Sequence, residues 1–223
     1  MEVCIFKNLR TAIPQRTSLE KIVQMILTSP LLKEYTDKAR KYYVEGNKEK
    51  VNSIKTNLLP AFAPAGYLID GKGRYNLIGL TGLCFVDIDH VENEQVESAM
   101  AKLREDEHVL LAARSISGKG LHILVPYCLW REDTVSSLPP TPAKTNQIYG
   151  SVFKSTAARY RDLLGLPTDK MAINAERLCL ISYDDQAYFN AGAVPIIYQY
   201  EHQRHGIVPK KYLEYKELEQ KPE

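Results

Sequence analysis

No two of the four cysteines, Cys4, Cys84, Cys128 and Cys179, stand close enough to make a CxxC ligand pair, and no Cys/His cluster has zinc spacing. A structural zinc site and a disulfide framework are therefore not expected. Cys84 and Cys179 each sit inside an apolar run, which reads as buried, reduced thiols and suits a cytoplasmic protein. The start, MEVCIFKNLR, lacks the apolar stretch of a signal peptide. No apolar run approaches the ~20 residues that span a bilayer, so no membrane partner is expected. An excess of one charge is missing too. The formal net charge is +2, so nucleic-acid binding would have to come from local basic clusters. There is no internal repeat, no GxxxxGK[ST] loop and no GxGxxG loop.

What is present is an ordinary globular composition, 44% hydrophobic and 25% charged over 223 residues, enough to bury a core without staples. Residues 2–7 read as a strand. Ser18 opens a helix carrying an Ile22, Val23, Ile26, Leu27 stripe. Pro30 restarts the chain into a second helix stopped by Gly46, and a third runs to Pro60. Residues 1–64 thus form a helix-rich N-terminal part with many lysines. The character then changes. Residues 82–89 read as a buried strand and 93–106 as an amphipathic helix with Val96, Met100 and Leu103 on one side. Residues 108–116 read as a strand, 117–120 as a turn and 121–127 as the returning strand. Residues 132–146, rich in Pro, Ser and Thr, read as a surface loop. Then come a helix over 147–164, a strand over 177–183, a further strand over 194–201 and a charged tail from 206. The fold class is α+β, with a core over 65–205 and the whole forming one compact unit.

Two constellations carry chemistry. In the first strand of the core, alternation puts Phe85, Asp87 and Asp89 on one face, with the two carboxylates about 6–7 Å apart along the strand. Without a counter-charge they would repel and one pKa would rise. Hard cations such as Mg²⁺ or Mn²⁺ take oxygen ligands, often one or two carboxylates plus substrate phosphates. The other reading of such a DxD pair is a solvated strand exit, with His90 and Glu92 continuing the polar run. The second constellation is Arg114 to His122, with Ser117, Gly118, Lys119 and Gly120 at its turn. Glycines let a backbone approach a phosphate, Ser117 adds a hydroxyl, Lys119 a charge, and His122 a ring N–H donor. Its plainer reading is a hairpin turn followed by a core histidine.

The ordered set Phe85-Val86-Asp87-Ile88-Asp89 and Ser117-Gly118-Lys119-Gly120-Leu121-His122 resembles the first two motifs of the archaeo-eukaryotic primase superfamily, which includes the primase-polymerases. With Lys55-Thr56-Asn57-Leu58-Leu59-Pro60-Ala61-Phe62 before them and Arg177-Leu178-Cys179-Leu180-Ile181-Ser182-Tyr183-Asp184 after, the chain is most similar to the VirE N-terminal-type domain of bacterial mobile-element proteins, over roughly residues 45–195. The resemblance implies a primase-polymerase-like fold, with an RRM-like antiparallel sheet lobe and an N-terminal helix-rich lobe. It implies a third acidic ligand, best matched by Asp169, with Asp184 and Asp185 as competitors and a turn cap as Asp169's other role. His122 would contact the incoming nucleotide's phosphates, assisted by Ser117 and Lys119, and Arg177 would face the pocket or form a salt bridge. Mg²⁺ or Mn²⁺ on Asp87, Asp89 and Asp169 would serve nucleotidyl transfer with nucleoside triphosphates on single-stranded DNA or a primer-template. Lys48, Lys50 and Lys55 are candidates for the template backbone or simply a solvated helix face. The zinc element or helical domain of replicative primases is not evident. A helicase or further domain would be absent, on another chain or beyond residue 223.

Three function classes compete. The first is a metal-dependent nucleotidyltransferase of the primase/polymerase type, acting in replication of DNA, including that of a mobile element. The second is a catalytically inactive module of the same fold that binds nucleic acid or nucleotide. The third, a replication-initiator endonuclease, needs an HxH pair beside a nucleophilic tyrosine. No HxH occurs, and His202 and His205 have the wrong spacing.

Overall fold

The structure, a computed structural model, describes residues 1–131 and 142–200. It is a mixed α+β protein whose helices and two main sheets share one continuous hydrophobic core.

The N-terminal part builds both helices and a sheet. Strand β1 (Glu2–Phe6) pairs antiparallel with β2 (Gln15–Ser18) on one side and with β3 (Ala61–Ala63) on the other. Ser18 then caps α1 (Leu19–Thr28), its hydroxyl accepting from the Lys21 N–H at 3.3 Å, and Leu19, Ile22, Val23 and Ile26 are buried. Ser29 caps α2 (Pro30–Val44), with proline in the first turn where its missing N–H costs nothing. Gly46, at φ +69°, ends it. Asn47 caps α3 (Lys48–Asn57). Strand β2 carries QRTS, which has no apolar signal; it is an edge strand held by register alone. The short strands β4 (Gly66–Leu68) and β5 (Leu77–Leu80) form a separate hairpin.

The second sheet is centred on β8 (Gly120–Arg131). It pairs antiparallel with β6 (Leu83–Asp89) and with β7 (Leu111–Arg114), and β7 pairs with β10 (Tyr188–Phe189). The later half of β8 runs parallel to β11 (Ile196–Tyr200), so the sheet is not purely antiparallel. Helix α4 (Asn93–Glu105) buries Val96, Met100 and Leu103. Helix α5 (Pro142–Leu164) begins five residues before the 147 expected from sequence, because Pro142 occupies its first turn. The rest of the expected loop, 132–141, and the charged tail lie outside the described residues.

Two strands are shorter than their apolar runs. The 108–116 run pairs only over 111–114, because His108 and Val109 turn back on Asp106. The 177–183 run pairs only at β9 (Cys179–Leu180), with β3. The N–H groups of Ile181 and Asp184 go to the carbonyls of Pro60 and Ile26, and that of Tyr183 to the Thr36 hydroxyl. A buried backbone needs partners, and here loops and helix ends supply them. That segment ties the second half of the chain onto the N-terminal sheet.

Cys4, Cys84 and Cys179 are buried and free, whereas Cys128 is exposed. Burial pushes the Cys84 thiol up to about 12. In the native protein a thiol reagent is therefore expected to modify Cys128 quickly and the other three only on unfolding. Mass mapping of labelled peptides checks this; fast labelling of Cys179 would show that its region opens.

No helix among the described residues is long and apolar enough to cross a membrane.

Candidate metal centre

Strand alternation and register assemble the site. Asp87 and Asp89 project from the same face of β6 as Phe85, and Asp87 stands directly opposite His122 of β8. The other face of β6 is apolar; its Cys84 lies against Tyr149 and Thr156 of α5. The carboxylate-bearing face looks across to the N-terminal sheet. A small cavity there is lined by His122, Leu124, Leu111, Ile26, Phe62 and Cys179.

Asp169 arrives from the segment after α5. Its backbone N–H donates to the Asp87 carbonyl at 2.7 Å, clipping the segment to β6. One carboxylate oxygen caps the 3₁₀ turn Lys170–Ile173, accepting from the Met171 N–H at 2.9 Å. The other lies 3.7 Å from an Arg177 Nη. Asp169 thus caps a turn and also presents a carboxylate to Asp87 and Asp89. Asp87, Asp89 and Asp169 each present an oxygen within 4.8 Å of the others'.

Asp87 is the strained member. Its side chain is 10% exposed, and Oδ1 is buried without a hydrogen-bond partner. The His122 Nε2 is 3.6 Å away, too far for a hydrogen bond. Burial pushes the Asp87 carboxyl up. The His122 ring opposes this, the Asp89 and Asp169 charges add to it, and Arg177 works against it. A desolvated carboxylate beside two more is costly unless something positive fills the gap. The donors are hard oxygens, which fits Mg²⁺ or Mn²⁺ rather than a soft metal.

His122 is held from behind. Its Nδ1 is 3.3 Å from the Cys179 sulfur, and its ring meets Phe85 edge-on at 5.7 Å between centroids. Burial, and then the Asp87 charge, hold the Cys179 thiol well above its ordinary value. The Cys179 sulfur sits between His122 Nδ1 and the Leu180 carbonyl, 3.6 Å away, and Nε2 is the ring nitrogen that faces Asp87. Cys179 reads from sequence only as a buried thiol. No spacing signal joins it to His122, because β9 reaches β8's surroundings through tertiary packing.

The structure therefore brings together Asp87, Asp89, Asp169, His122 and Arg177. Ser117 and Lys119 stay in the turn beyond Asp89. The Ser117 hydroxyl lies 3.1 Å from that of Ser115 and accepts from the Lys119 N–H. Lys119 is exposed, with Nζ 3.9 Å from Glu92. Asp184 is committed elsewhere: it is buried, accepting from the Arg114 N–H at 2.7 Å and its guanidinium at 3.0 Å. Asp185 is exposed and outside the cluster, so Asp169 is the third carboxylate. Lys50 and Lys55 lie over the rings of Tyr42 and Tyr43 of α2, while Lys48 is exposed.

The family model described as BT4734-like, N-terminal domain matches residues 53–189. That is more than half of the chain and includes every residue of the cluster, and the chain belongs to this family. The match corrects the resemblance drawn from sequence: the family is a different one from the VirE N-terminal-type domain of the primase superfamily. Short motifs carried that resemblance, and a DxD strand with a glycine turn recurs wherever a sheet presents carboxylates beside a hairpin. Comparison with curated proteins and with solved structures gives no match.

Proposed function

We propose that this BT4734-like N-terminal domain is a divalent-metal-dependent nucleotidyltransferase of the primase/polymerase type, acting on nucleoside triphosphates and single-stranded DNA or a primer-template during DNA replication. The observation that carries the reading is the carboxylate cluster of Asp87, Asp89 and Asp169 with a buried, unpartnered Asp87 oxygen. The proposal includes a primase-polymerase-like arrangement in which β6, β7 and β8 form the catalytic sheet and the N-terminal helices a second lobe. It rests on the site's chemistry and claims no membership of that superfamily.

Asp87, Asp89 and Asp169 would hold Mg²⁺ or Mn²⁺. Bound there, the metal supplies activation of a 3′-hydroxyl and neutralisation of the leaving pyrophosphate. The chain's own part is positioning, which is most of what phosphoryl transfer asks of a protein. His122 is fixed between Cys179 and Asp87, so its Nε2 faces the cluster, where, carrying a proton, it would donate to a phosphate oxygen. Arg177, held by Asp169, adds a charge at the rim.

Primer extension and de novo synthesis on single-stranded DNA with Mn²⁺ or Mg²⁺ test this. Product is expected from the parent and none from an Asp87→Ala, Asp89→Ala double variant. Metal-dependent nucleotide binding without product would instead establish a binding module. Neither product nor metal-dependent binding would end the proposal.

A further inference from the structure

Arg40 of α2 is half-buried. Two other half-buried arginines are ion-paired, Arg114 with Glu97 and Asp184, and Arg159 with Asp106. Among the described residues, no carboxylate lies within ion-pair distance of Arg40. Its Nε donates to the Ile116 carbonyl at 3.3 Å and one Nη to the Ser115 carbonyl at 3.5 Å. Both bonds are long, and they use two of the five N–H donors a guanidinium carries. Burial lowers its pKa, against the pull of the more distant Asp184 and Asp37. A cation half taken out of water, with two carbonyl dipoles as its acceptors among the described residues, is undercompensated.

The carbonyls it meets belong to the turn between β7 and β8. Gly118 in that turn, at φ +75°, has no side chain, and a Cβ built there would lie 3.6 Å from Arg40 Nε. The turn therefore sets no side chain of residue 118 against the guanidinium. Two residues on, Gly120 stands opposite Asp89. Arg40 thus meets the start of the glycine turn, at Ser115 and Ile116, and the carboxylate-bearing strand meets its end, at Gly120. A metal-bound phosphate needs both: carboxylates for the metal, and a fork of N–H donors for the phosphate oxygens.

We propose that Arg40 is a phosphate-binding residue, taking a phosphate group at the turn 115–120, from the tail of a nucleoside triphosphate or from a nucleic-acid backbone. That the phosphate is a metal-bound one rests on the metal-site reading; the anion binding itself does not. Lys119 on the same turn is a mobile-length side chain with its ammonium largely in water, suited to follow the same anion as a second, weaker contact.

The test uses the full chain in EDTA, with tripolyphosphate titrated calorimetrically and a single-stranded oligo-dT followed by fluorescence anisotropy. Arg40→Gln is expected to weaken binding at least about tenfold. Arg40→Lys, which keeps the charge but loses the fork, is expected to fall between. Loss in the tripolyphosphate arm assigns the residue to the triphosphate tail; loss confined to the oligonucleotide arm assigns it to the backbone. Unchanged affinity in both arms, with only a lowered melting temperature, would mean that Arg40 merely braces the turn, and would overturn the proposal. Should Arg40→Gln fail to fold, Arg40→Lys decides by the same two readouts. Because these titrations contain no metal, a parent that binds tripolyphosphate in EDTA but gives no nucleotidyl transfer with Mn²⁺ ends the metal-site reading alone, so the two readings fail separately.

Discussion

Asp87→Asn is expected to melt above the parent in metal-free buffer at pH 7 while losing at least about a hundredfold in metal-dependent nucleotidyl transfer; substitutions one shell further from a metal already cost 10–100-fold. The two effects share one cause. Asp87 Oδ1 is buried without a partner, next to the oxygens of Asp89 and Asp169. An amide removes the charge, and with it the repulsion and most of the desolvation cost. A gain of about 1 kcal/mol is in line with relieving an active-site strain, and at this chain length it corresponds to roughly 2–4 °C in Tm. The pH dependence follows. In the folded protein burial raises the Asp87 carboxyl, only partly offset by His122. The stability linked to its protonated form is complete below the ordinary aspartate value of about 3.9 and is lost as pH rises through the raised folded value. Asparagine does not titrate, so the stability gap between variant and parent should open as pH rises from about 4 toward 7 and close again below it. Added Mn²⁺ should stabilise the parent by binding the native state and leave the variant nearly unmoved. Melting curves at several pH values, with and without Mn²⁺, check all of this. A variant less stable at every pH, with the parent's Mn²⁺ shift intact, would show that Asp87 is structural.

Much of this geometry was legible in the sequence, for physical reasons that differ residue by residue. Asp87 and Asp89 were readable because strand alternation is a local rule; His122 comes beside them only because β6 pairs with β8 across the intervening α4 and β7, which the sequence offers as an adjacency of strands and not as a local turn. The helices were readable because Ser18, Pro30 and Gly46 are starts and stops with known stereochemistry. The third carboxylate was readable only as a choice among Asp169, Asp184 and Asp185. What decides it is tertiary: Arg114 claims Asp184, while the Asp169 N–H docks on the Asp87 carbonyl. Cys179 behind His122 and Arg40 beneath the turn had no signal at all, since each crosses from one layer to another. The edge strand β2 was hidden for the opposite reason: its residues QRTS are polar, and pairing with β1 alone makes them a strand. The resemblance to the VirE N-terminal-type domain fails because its motifs are short, and a strand presenting carboxylates beside a glycine turn arises on unrelated sheets.

Glycines in the turn let backbone approach a phosphate, and Gly120 has a second, steric reason to be glycine. A Cβ built at Gly120 would fall 2.4 Å from the Ile88 carbonyl oxygen, 2.9 Å from the Ser115 hydroxyl and 3.2 Å from Asp89 Oδ1. The first is backbone in a buried strand and cannot swing aside as a flexible side chain would. Relief requires β6 and β8 to part where they hold the carboxylates, or the hairpin bond from the Ser115 N–H to the Gly120 carbonyl to break. Gly120→Ala is therefore expected to cost about 3 kcal/mol, the upper range for overpacking a closed site. Gly118 is the internal comparison. Its φ of +75° makes any side chain strained, yet the nearest atom to a Cβ there is the Arg40 Nε at 3.6 Å, an ordinary contact. Gly118→Ala should then cost only the left-handed backbone term, about 1–2 kcal/mol. Urea unfolding separates the two. Mn²⁺ binding separates them further, because only the Gly120 substitution crowds Asp89: its affinity should fall while that of Gly118→Ala stays near the parent's. Equal destabilisation by the two alanines, with equal Mn²⁺ affinity, would mean that the strands can open at Gly120 without disturbing the site, and that the carboxylates are held by Asp169 and its clip to β6 rather than by the closeness of the hairpin.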